Sequence, residues 1–155
     1  MAMTPSRFER VPCGTSSENA CSPALTDDFR GLLLAAPERV TCSADAVLPV
    51  AGAYQLDARF VGRFRSMRSE ITLVAVDTNT HAARSANLLK RGYKARPSGL
   101  DPSDPDLDST VVTGWFNLDL FLWIKGFPRA PARYHVFATV GDVVSNVVTV
   151  AVVAS

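Results

Sequence analysis

No stretch of the 155-residue sequence approaches the ~18 uninterrupted apolar residues of a membrane-spanning helix, and Met1 to Arg10 hold no apolar run of signal-peptide length. The chain therefore reads as cytoplasmic with no membrane partner, and as secreted only if it is a trimmed piece of a longer protein. Charge of one sign is missing too. Sixteen Lys+Arg stand against fifteen Asp+Glu, a net charge of +1, far from the basic surface that a nucleic-acid partner demands. Metal-ligand motifs are scarce: Cys13, Cys21 and Cys42 form no Cys-x-x-Cys pair, and His81 and His135 no His-x-x-x-His pair. The cysteines read as free thiols, with a Cys13–Cys21 bridge as the alternative in an oxidising compartment. No Gly-x-Ser-x-Gly elbow, cysteine-protease signature, phosphate loop or dinucleotide fingerprint occurs. The common enzyme classes are thereby disfavoured, and no cofactor is required.

What is present suits one domain with a substantial core. Residues 1–38 are rich in turn chemistry, with Pro5, Pro12, Cys13-Gly14-Thr15-Ser16-Ser17 and Ser22-Pro23, and read as an irregular arm. Within it Thr26 can cap a short helix over 27–36, with Asp27 and Asp28 in its first turn and Pro37 ending it. Residues 39–155 read as a β domain. Tyr54, Leu56, Ala58 and Phe60 alternate with Gln55, Asp57 and Arg59, as in a half-buried strand. Glu70 to Asp77 is apolar on both faces in its second half, as a covered central strand would be. His81 to Arg91 suits a short helix or a strand. The prolines of the loop Gly92 to Ser109 forbid continuous pairing, and loops of that length are often functional. Strands recur after it, at Gly114 to Trp123, Tyr134 to Val140 and Val143 to Val153. Short strands at regular spacing without alternating helices predict an all-β antiparallel sandwich of about seven strands.

The segment from Pro131 to Val150 resembles the last two strands of an immunoglobulin-like or fibronectin-type domain, with Tyr134 placed where the corner tyrosine of those folds bonds the chain upstream. The resemblance implies an immunoglobulin-like β-sandwich and, by itself, no function.

Four groups of residues are candidate sites. Asp101, Asp104, Asp106 and Asp108 are closely spaced loop carboxylates of the kind that calcium needs, although they match no EF-hand loop and Asp-Pro steps also form turns. Arg59, Arg63 and Arg65 share one strand parity, with Arg68 close behind, and such a face can hold an anion or simply be solvated. His81 and His135, assisted by Asp77 or Asp119, would be the ligands of a metal-dependent accessory enzyme. The fourth group comes from strand parity. With Phe116, Leu118, Leu120 and Leu122 in the core, Trp115, Phe121 and Trp123 point the other way, and His135 and Phe137 would pool with them from the next strand. So large an apolar face should be covered by the arm, through Phe29, Leu32, Leu33 and Leu34, by a second copy of the chain, or by another protein. The leading expectation is a non-catalytic interaction or assembly module. The alternative is a small-molecule or carbohydrate binder, calcium-assisted through residues 92–109, with Trp115 as stacking platform.

Overall fold

The computed structural model describes residues 5–88, 100–101 and 103–155, with backbone only for 5–7. Among the described residues nine strands form two sheets: β1 (Gly31–Ala35), β2 (Arg39–Cys42), β3 (Pro49–Asp57), β4 (Thr72–Asp77), β5 (Ala83–Asn87), β6 (Val111–Asp119), β7 (Ala132–Val140), β8 (Val143–Val144) and β9 (Val148–Ala154). A three-stranded sheet has the order β1-β3-β6, and a six-stranded sheet the order β2-β9-β7-β4-β5, with β8 on β7. Every pairing is antiparallel except that of β2 with β9. Among the described residues helix is confined to three four-residue turns, α1 (Ala58–Val61), α2 (Met67–Glu70) and α3 (Leu120–Trp123), and two 3-10 turns, Pro5–Arg10 and Pro105–Asp108. No helix among the described residues is long and apolar enough to cross a membrane.

One core lies between the sheets. Leu32, Leu34, Val50, Phe116 and Leu118 enter it from the three-stranded sheet, and Leu73, Ala75, Val136, Val150 and Val152 from the six-stranded one. The sequence supplies each set at every second position, so the period-2 pattern alone aims both sheets inward. The chain enters both sheets early. After β1 it leaves the first at Ala36-Pro37, where proline offers no N–H to continue a ladder, and β2 joins the other sheet beside β9. The Asn146 side chain ties the layers along that edge, accepting from Leu34 N at 2.7 Å and donating to Leu34 O at 3.0 Å.

Three expectations fail. The helix over 27–36 is absent: Asp27 and Asp28 form a turn, and 31–35 is strand β1, paired along its length with β3. A run of three leucines suits either period, and burial of Leu32 and Leu34 against the opposite sheet decides for the strand. The arm is thus part of the sheet from Gly31 onward. The strand through Tyr54 stops at Asp57, and Ala58–Val61 is α1, so Arg59 and Arg63 share no strand face. The strand through Trp115 stops at Asp119. That buried carboxylate accepts from Leu48 N at 2.9 Å and Phe121 N at 3.0 Å, and it caps α3. The helical turn shifts the inward positions by one, so Phe121 is buried and Leu122 is 75% exposed.

The register of β3 on β6 is pinned by two reciprocal pairs. Gly52 lies opposite Phe116 and Tyr54 opposite Gly114, all on the core face. A Cβ at Gly52 would lie 2.0 Å from the Phe116 ring, and one at Gly114 2.3 Å from the Tyr54 ring. Each aromatic ring therefore lies flat across the glycine of the other strand. Gly52→Ala is expected to displace Phe116 and destabilise by about 1–3 kcal/mol, read as a lower denaturant midpoint; an unchanged midpoint would show that no ring occupies that glycine.

Candidate interaction surface

The outer face of the three-stranded sheet is already covered. Leu33, Ala35, Ala51, Ala53, Trp115 and Asn117 carry its outward parity, and both Ala51 and Ala53 are fully buried. Phe8, Val11 and Cys21 of the arm pack with Ala51 as a second, small apolar cluster, joined by Cys13 and Ala35. Alanines in the centre of β3 leave room for this layer. The cover comes from residues 8–21; of the expected Phe29, Leu32, Leu33 and Leu34, Leu32 and Leu34 face the main core instead, and Leu33 is part of the covered face itself.

Asn117 anchors the arm. Its backbone O accepts from Gly14 N at 2.7 Å, and its N donates to Thr15 O at 2.9 Å, which closes the free edge of β6. Its side-chain Nδ2 donates to Ser17 O at 2.8 Å and Thr15 Oγ1 at 3.1 Å, and Oδ1 accepts from Asn19 Nδ2 at 2.7 Å. A buried amide so fully satisfied fixes the arm's register. Nearby, burial and then the Asp119 charge push the Cys13 thiol above its ordinary pKa. Cys13, Cys21 and Cys42 form no disulfide with one another.

The five residues expected to share one face do not. β6 and β7 belong to different sheets, so Trp115 is separated from His135 and Phe137 by the whole core. Phe121 is buried, its ring 5.6 Å from Phe127 and capped by the Arg129 guanidinium at 4.6 Å. Trp123 packs on the core rim and donates from Nε1 to Asn87 O on β5 at 2.8 Å. Only His135, exposed, and Phe137, half-buried, remain on an open sheet face.

That face is the outside of the six-stranded sheet. Phe137 pairs with Val74, and His135 lies between Val76 and Thr149. Val144, 60% exposed, pairs with Thr139. Val147, 56% exposed, precedes the Val148–Val136 pair by one residue and so shares the parity of Phe137. Sequence reasoning missed Val74, Val76, Val144 and Val147 as surface. The signal was present in a strand apolar on both faces, which looks covered from within whether its cover is internal or a partner.

The other candidates are dispersed. Asp101 Oδ1 accepts from Ser103 N at 3.0 Å and Oγ at 2.7 Å, bonds that hold its carboxyl below the usual range. Asp104 accepts from Asp106 N at 2.9 Å, and Asp108 pairs with Arg59 Nε. These carboxylates serve turns and one ion pair. Arg63 lies over the rings of Phe60 and Phe64, and Arg68 is in α2; Arg65 lies exposed between the two helical turns. His81 stands at the β4–β5 turn with φ 63°. Asp77 accepts from Asn79 N and Thr80 N there, which lowers its pKa. Among the described residues no three His, Cys, Asp or Glu side chains converge as metal ligands. Residues 92–99 and Pro102 of the expected binding loop lie outside the described residues. The Tyr134 ring stacks on Phe127 at 4.8 Å, and its hydroxyl bonds none of the described residues, unlike the expected corner.

Two experiments check this account. Asn117→Ala removes three side-chain hydrogen bonds of ~1 kcal/mol each and is expected to speed proteolysis within residues 12–20 about a hundredfold and to lower the midpoint of global unfolding; unchanged proteolysis would show that this amide does not hold the arm. For Cys13, peptide-resolved alkylation should rise only at a pH above the ordinary thiol range, and Asp119→Asn should move that profile to lower pH; an identical profile would remove Asp119 as a cause. Comparison with protein-family models, curated proteins and solved structures found no match to the chain.

Proposed function

We propose that the chain is a non-catalytic interaction and assembly module on an immunoglobulin-like sandwich, docking through the outer face of its six-stranded sheet. Strand order supports the fold. With β1, β3 and β6 as strands A, B and E, and β4, β5, β7 and β9 as C, C′, F and G, the two sheets have the A-B-E and C′-C-F-G order of that superfamily. Tyr134 then lies near the start of strand F.

The docking reading rests on one contrast. The outer face of one sheet is covered at its centre by the chain's own arm, while Val74, Val76 and Phe137 on the other are half-buried on its outward parity and flanked by exposed Val144 and Val147. An apolar strip on a twisted open sheet, rimmed by Thr72, Thr139 and Thr149, has the composition of a protein interface centre.

A photoreactive benzoylphenylalanine at position 137, irradiated in cells expressing the chain, is expected to yield adducts with a second polypeptide. The same probe at Val111, on the other sheet, should yield far fewer. Absence of intermolecular adducts at 137, or equal yields at both positions, would refute the reading.

A further inference from the structure

We infer that the partner docked on this face is a second copy of the same chain, laid antiparallel across a two-fold axis near Phe137; this rests on the docking reading above. Size comes first. The strands of this sheet, from the four residues of β2 to the nine of β7, offer roughly 500 Å² of face at ~3.3 Å of rise and ~4.8 Å of spacing per residue. That is more than half of the ~800 Å² per partner of a specific protein interface and exceeds what a small molecule would cover.

Charge selects the partner and its direction. Arg39 and Arg133 flank Ala151 in one row at one end of the face, four residues along the strand from Phe137, or ~13 Å. Asp142 stands in the β7–β8 turn at the other end, just past the Val140–Val143 pair and so about four residues of rise from Phe137, or ~13 Å. All three are exposed, and none is in an ion pair among the described residues. Glu38 lies next to Arg39 but with the opposite parity. Arg63, which approaches the Asp142 end through the rings that Gly141 abuts, is engaged over Phe60 and Phe64.

Because both charged ends stand at nearly equal distance from Phe137, a two-fold axis across the strands brings Arg133 of each copy onto Asp142 of the other. The same operation stacks the two Phe137–Val74 strips. A two-fold along the strands would instead set Arg133 against Arg133, at a cost. The face is therefore complementary to itself in one direction only.

Sedimentation equilibrium of the full chain tests this. A dimer is expected that weakens with salt. Arg133→Glu and Asp142→Arg, both surface changes, should each weaken it about tenfold, because every contact occurs twice in a two-fold interface. The double variant should recover to within about threefold of the original. A monomer at ~100 µM, or a double variant no stronger than the single ones, overturns the self-association. If adducts at position 137 then contain a different polypeptide, docking stands without it; if no adduct forms, docking itself falls.

Discussion

The fold depends on how β3 meets β6. Two glycines and two aromatic rings, Gly52 under Phe116 and Tyr54 over Gly114, fit together in one register. A slip of one residue would turn every inward side chain outward. A slip of two would leave a ring facing a side chain where it now faces a bare backbone. The same register turns Ala51, Ala53 and Asn117 outward together, and the arm needs that flat alanine floor with one amide at its edge. Core packing and surface cover thus follow from a single pairing.

The two sheet faces differ among the described residues because the arm lies on the three-stranded one. The arm's apolar content, Phe8, Val11 and Cys21, is enough for the narrow sheet. The wide sheet is left with valines and Phe137 at its centre and threonines around them, a surface half-prepared for water and half for contact. The physical asymmetry between the faces is what carries a functional reading, since no catalytic constellation accompanies it among the described residues.

Much of this was legible in the sequence, and the failures have common causes. The alternation in Tyr134–Val140 and in Phe116–Leu118 predicted both strands and their inward residues. It failed at Leu122 because Asp119, an ordinary outward residue by parity, is buried and starts a helical turn that no periodicity announces. Past Asp57 the strand gives way to α1, although Ala58 stays buried, since a four-residue turn is shorter than any periodic signal. The leucines at 32–34 suit a helix locally because local propensity cannot register a partner strand twenty residues away. Pooling Trp115 with Phe137 failed at the level of topology: consecutive strands usually pair, but the Ile124–Pro131 connection crosses from one sheet to the other.

The Asn146 clamp on Leu34 uses both ends of a side-chain amide, one as donor and one as acceptor, on a single backbone residue. Aspartate has the shape but no donor, glutamine has both groups but an extra methylene, and serine cannot reach two partners. Asn146 is exposed and looks, by composition, like any loop residue. Its tolerance to substitution should nonetheless be as narrow as that of the buried leucines, so variability along this chain will follow bonding geometry at the sheet edges more closely than it follows depth.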